Sequence, residues 1–164
     1  MTSTLNRAVR MTMFDRRAAT ELMFDASATG DAVLLVAAVH VVVTLTRMFL
    51  IGSFNLLGLI ETAIFGVAGW LILSFAIWIM GTRVLKGSGD VQAMMRVSGF
   101  ASLPLLLGVI GLGWAGTIWQ LAIMVVGASV VLGQGTKEAV GSVVLGAALV
   151  LVVQLLFRAP FLLF

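Results

Sequence analysis

The sequence has no cysteine and no tyrosine, and only one histidine and two prolines in 164 residues. Without cysteine there can be no disulfide, iron–sulfur cluster, thiolate zinc site or thiol nucleophile. A lone histidine excludes a two-histidine metal motif within one chain. Charge is scarce too. Asp, Glu, Lys and Arg make up 10% of the residues, against roughly 25% in ordinary soluble domains. Most of the seven carboxylates fall outside the apolar stretches. A soluble enzyme, a disordered protein and a nucleic-acid binder all fit this composition poorly.

What is abundant is apolar. Hydrophobic residues make up 61% of the chain, about 100 residues. A membrane-spanning helix uses about 20, so the chain holds material for five. The mean hydropathy of +1.17 agrees. The isoelectric point near 10.7 rests on a net charge of only +3. In so apolar a chain that excess bears on membrane orientation rather than on a polyanionic partner.

Five apolar runs carry the hydrophobic residues: 31–50, 56–80, 97–112, 114–132 and 139–157. In a bilayer each must be a helix, since each backbone polar group needs a partner within the segment. None shows the polar alternation of barrel strands. The predicted fold is therefore all-α, a polytopic bundle of five transmembrane helices (31–164) behind an N-terminal membrane-surface helix (1–30). The run around Pro104 is the shortest. Its 16 residues cover about 24 Å as an α-helix, less than the roughly 30 Å hydrocarbon core. Pro104 breaks a helical hydrogen bond, and Gly99, Gly108 and Gly111 lie around it. The element is a short, tilted or kinked span, or a re-entrant hairpin that would reduce the count to four.

Residues 1–30 are the polar end. As a helix they place Leu5, Val9 and Met13 on one side and Arg10, Arg17 and Glu21 on another, which suits a surface helix. A solvated helix or frayed tail is the alternative. The first run begins too late for a secretory signal core. Ser27 or Thr29 is expected to cap the first span, with Asp25 and Asp31 at its positive dipole end.

Lys and Arg set orientation. With the N-terminus in the cytoplasm, Arg7, Arg10, Arg16, Arg17, Arg83, Lys86, Arg96 and Lys137 fall inside, and Arg47 and Arg158 outside. The expectation is N-terminus in, C-terminus out.

Few residues could carry chemistry. His40 lies near mid-membrane, where an ionisable side chain is a functional candidate. It could relay protons or ligate a chlorophyll-type pigment or a haem iron. The plainer reading is a neutral histidine bonded across a helix pair. Arg47 and Glu61 are placed to form an ion pair across the first hairpin. Gln120 and Gln154 suit interhelical hydrogen bonds. Gly58, Thr62 and Gly66 recur every four residues, as do Ser142 and Gly146, giving small faces that let helices approach. Such faces serve dimerisation, docking to a partner, or packing within the bundle. Trp78, Trp114 and Trp119 suit interface anchors, a rule that leaves mid-span Trp70 unexplained. Lys86-Gly87-Ser88-Gly89 lacks the spacing and preceding strand of a phosphate loop.

One ordered set of motifs is more telling. It comprises the Asp25–Asp31 lead, Trp70 to Gly81-Thr82, Lys86-Gly87-Ser88-Gly89, and above all Met95-Arg96-Val97-Ser98-Gly99-Phe100-Ala101-Ser102-Leu103-Pro104. Trp119 and Gly135-Thr136-Lys137-Glu138-Ala139-Val140 follow. Together these resemble the prokaryotic branch of the Yip family, five-span proteins named for Ypt/Rab-interacting relatives. The resemblance implies five spans, N-terminus in and C-terminus out, and no known enzymatic activity. The acidic, tyrosine-bearing motif of eukaryotic members has no counterpart here, so the resemblance does not extend to Rab binding.

The expected function is thus a non-enzymatic scaffold or accessory subunit in a prokaryotic inner membrane. Its partners would be the bilayer and other subunits or a second copy, not nucleic acid. A small transporter or channel using mid-membrane polar residues is the alternative, as is a pigment- or haem-bearing subunit through His40.

Overall fold

Each long apolar run folds as a helix, because only a helix closes its backbone hydrogen bonds within one segment. A computed structural model describes the backbone of residues 2–157 and the side chains of residues 4–156. Two short helices lead, α1 (Thr2–Thr12) and α2 (Arg16–Phe24). Then come α3 (Ala28–Ile51), α4 (Leu56–Ile79) with a π-turn over Met80–Val84, and α5 (Val91–Phe100) with a 3₁₀ segment over Leu103–Ile110. Helices α6 (Gly113–Val131) and α7 (Thr136–Phe157) complete the fold. No strand occurs among the described residues. Five elements are long and apolar enough to cross a membrane: Ala28–Ile51, Leu56–Val84, Val91–Ile110, Gly113–Val131 and Thr136–Leu156. The protein is a polytopic helical membrane protein.

Short connections make successive spans antiparallel. We call the end holding the start of α3 the near end and the opposite one the far end. Gly52 closes α3 in the left-handed conformation (φ 71°), its N–H returning to the carbonyls of Met48 and Phe49, as glycine C-caps do.

The third span resolves the length problem around Pro104. The helix starts at Val91, capped by Asp90 through the N–H of Ala93, six residues before the apolar run begins. Beyond a turn at Ala101-Ser102 the chain tightens into a 3₁₀ helix with Pro104 in its first turn. A 3₁₀ helix rises about 2.0 Å per residue rather than 1.5 Å. Ten α-helical and eight 3₁₀ residues therefore reach about 31 Å, enough for a full crossing. This span is also the most central, with 61% of its apolar window buried against 11% for α3.

The N-terminal segment is two helices. The chain turns at Phe14, which holds a left-handed φ of 60°. Asp15 then caps α2 by accepting from the N–H groups of Arg17 and Ala18. The hairpin buries Ala8, Met11, Ala18, Ala19 and Leu22 against the bundle, with α2 on α5 and α6. Its buried face mixes small alanines with the large side chains of Met11 and Leu22. Leu5, Val9 and Met13 point outward and are exposed, so the hairpin carries two apolar faces. Three ion pairs tie it: Arg7 with Asp25 at 2.6 Å, and Arg10 with Asp15 at 2.8 Å and Glu21 at 2.9 Å. The capping expectation at α3 is not met. Ser27 occupies the N-cap without a capping bond, and its N–H and hydroxyl donate instead to Asp25.

Candidate functional site

The Met95–Pro104 motif lies in the middle of the molecule. Val97, Ser98, Phe100, Ala101 and Ser102 are essentially fully buried. Gly99 is required there, since a Cβ would stand 2.7 Å from that of Ala32 and 3.1 Å from the Trp70 ring. Trp70 donates its indole N–H to Ser98 Oγ at 2.9 Å, and Ser74 Oγ lies 2.6 Å from the same oxygen. A tryptophan so deep must find a partner for its N–H, and the motif serine provides it. Arg96 is 6% exposed. It donates to the carbonyls of Leu22 and Met23 at 3.0 and 2.6 Å, placing a cation on the negative end of α2.

A second cluster fastens the near end. Gly87 N–H and Gln134 Nε2 both donate to the Gly81 carbonyl, at 2.8 and 2.9 Å. Ser142 donates to Gln134 Oε1 at 2.7 Å, and Trp78 to the Gly89 carbonyl at 2.9 Å. Gly89 passes against the Val131 carbonyl too closely for any Cβ. The glycines of Lys86-Gly87-Ser88-Gly89 thus serve close backbone approach.

The far half holds a cleft of about 510 Å³ in which several polar side chains meet apolar walls. Helix α3 contributes His40, Thr44 and Arg47, residues spaced four and three apart and so on one face. Thr62 enters from α4 and Thr117 from α6, while Gly108, Gly111 and Gly113 form a wall without side chains. His40 Nδ1 lies 2.9 Å from the Val36 carbonyl. As a neutral ring bonded there it carries its proton on Nδ1 and leaves Nε2 an open acceptor. The ring rests on Gly66, where a Cβ would come within 2.5 Å. Thr62 and Thr117 hydroxyls donate to the Gly58 and Gly113 carbonyls. Thr44 and Arg47 have no hydrogen-bond partner among the described residues. A candidate ligand would meet a cation at the mouth, hydroxyls along the wall and an imidazole nitrogen at the base. No group of three or more His, Cys, Asp or Glu converges among the described residues.

Arg47 and Glu61 form no ion pair. The pairs among the described residues all lie in the N-terminal hairpin and its lead into α3, while the Arg47 guanidinium lies beside Gly113. The small faces are occupied within the bundle. Gly58 lies against Met48 and Gly66 against His40, both on α3, and Gly146 lies against the Ile77 backbone of α4. Gln120 is buried on α6. Trp119 is no simple anchor, since its indole N–H donates to the Thr12 carbonyl at 3.1 Å. Arg158 lies outside the described residues. Thr44 and Thr117 escaped the sequence reading. Thr44 was visible in the spacing from His40 to Arg47, but nothing in the sequence brings Thr117 to them.

No curated protein and no solved structure matches the chain. The family model of the Yip1 domain matches residues 12–157, from the end of α1 to the end of α7, and so includes both the buried serine motif and the glycine clasp. The chain belongs to the Yip1 domain family.

Proposed function

We propose that the protein is a non-enzymatic scaffold or accessory subunit of a membrane assembly. Its setting would be a prokaryotic inner membrane, with the near end in the cytoplasm and the C-terminus outside. One observation carries this reading: the buried polar groups tie helices to one another. Ser74 and Ser98 hold Trp70, Arg96 holds α2, and Gln134 joins the π-turn to Ser142. Polar groups so engaged build a frame rather than a reaction centre. The Yip1 family is not known as an enzymatic one, which agrees. With the small faces of α4 and α7 occupied, one surface open to a partner is the outer side of α3, where Leu34, Leu45 and Phe49 are exposed. Isolation from its own membrane in a mild detergent should give a homo-oligomer or a complex, weakened by Leu34→Trp or Leu45→Trp. A monomer that retains no partner would overturn this reading.

The cleft favours a second reading, a small transporter or channel or a pigment- or haem-bearing subunit, through His40. Flux in proteoliposomes that vanished in His40→Ala would support transport. Visible absorbance of the native protein, lost in the same variant, would support a bound pigment or haem. A colourless protein would exclude it.

A further inference from the structure

We propose that the far-half cleft holds the phosphate of a membrane phospholipid, with Arg47 as its cation. Arg47 lies 19 residues beyond Ala28 in α3, about 28 Å along the helix axis. A hydrocarbon core is about 30 Å thick, so the guanidinium stands where headgroups begin. Exposed Trp114, of a residue type enriched at membrane interfaces, lines the same cleft. Arg47 forms no ion pair among the described residues, and its guanidinium lies beside Gly113. An arginine fork pairs with two phosphate oxygens at once. Thr44, on the same face, has a hydroxyl free to donate beside it. Gly111 and Gly113 leave room for the headgroup, and the total volume of about 510 Å³ lies within the usual range for ligand pockets. Below the mouth the walls turn apolar at Val43 and Leu105, which suits the first carbons of an acyl chain. A phosphate in solution would meet the same cation but gain nothing from those walls. The lipid would bind whether or not a protein partner joins the bundle.

The test uses the full chain in nanodiscs of phosphatidylglycerol and phosphatidylcholine, followed by release into mild detergent and native mass spectrometry. The wild type should carry a retained phospholipid. Arg47→Gln should reduce that population about tenfold, the effect of losing a charge-assisted hydrogen-bonded pair. Arg47→Lys should restore part of it, and Arg83→Gln at the near end should leave it unchanged. Thr44→Ile, which fills the cleft but keeps the charge, should also lower retention and stands in if Arg47→Gln fails to fold. A parallel arm follows inorganic phosphate by ³¹P line width. Phosphate bound through Arg47 without lipid retention would move the source to solution and overturn the lipid. Equal lipid retention by folded wild type, Arg47→Gln and Thr44→Ile would overturn the site.

Discussion

Ser98 and Arg96 show how a single polar side chain can organise an apolar bundle. Ser98→Ala removes the acceptor of the Trp70 N–H and leaves a buried donor unpaired, a loss of about 1–3 kcal/mol. The melting point in detergent should fall, and Trp70→Phe in the same background should return part of it by removing the orphaned donor. Arg96→Met should act differently. It releases two carbonyls at the end of α2, a loss of about 1.5–3 kcal/mol for bonds to a charged group. Hydrogen exchange should quicken in residues 16–24 while the spans stay protected. Uniform loosening of all helices would argue against an anchoring role. Trp70 and Ser98 were each visible in the sequence, Ser98 inside the strongest motif and Trp70 as an exception to the interface rule. Their pairing was not, because residues 28 apart meet only once two spans have packed.

Elements reveal what composition hides. The run around Pro104 looked short because apolar letters begin at Val97, whereas the helix begins at Val91 and ends in a longer-rising 3₁₀ turn. Small residues repeated every four positions point to close helix approach, yet period alone does not say which helix approaches. At Gly146 it is α4: an added Cβ would stand 2.7 Å from backbone atoms of Ile77. Gly146→Ala should push α7 from α4 and cost about 1–3 kcal/mol, read as a lower melting point; an unchanged one would contradict that packing. The N-terminal hairpin should respond to acid. The Ser27 hydroxyl and the Arg7 guanidinium hold the Asp25 carboxyl down to about 2, and Arg10 with the amides of Arg17 and Ala18 lowers Asp15. Both are stronger acids folded than unfolded, where a carboxylate titrates at about 3.9. The Asp25 contribution is present above about pH 4 and is lost as pH falls toward 2, and that of Asp15 is lost in the same direction. Exchange protection of residues 2–24, corrected for intrinsic rates, should hold from pH 7 to 4 and then decline before the spans open. A hairpin as protected at pH 2 as at pH 6 would exclude this linkage.

At the scale of the molecule, the number of spans followed from about 100 apolar residues and a 20-residue crossing. The cleft was only half legible: His40 and Arg47 stood out as charged or ionisable residues in apolar surroundings, but its threonines come from three different spans. Orientation has a direct test, made simple by the absence of cysteine. Ser88 at the near end and Ser53 at the far end are both exposed. In sealed cells a membrane-impermeant thiol reagent should label Ser53→Cys and not Ser88→Cys; the opposite pattern would reverse the molecule. The hairpin adds a matter of timing. Its docking surface is built from α5 and α6, and Arg16 donates to Ser129, 113 residues later. During synthesis α1 and α2 leave the ribosome long before that surface exists. They must wait beside the membrane with Leu5, Val9 and Met13 available to lipid while the spans insert, so the segment made ahead of all the spans is settled only after the fourth is in place.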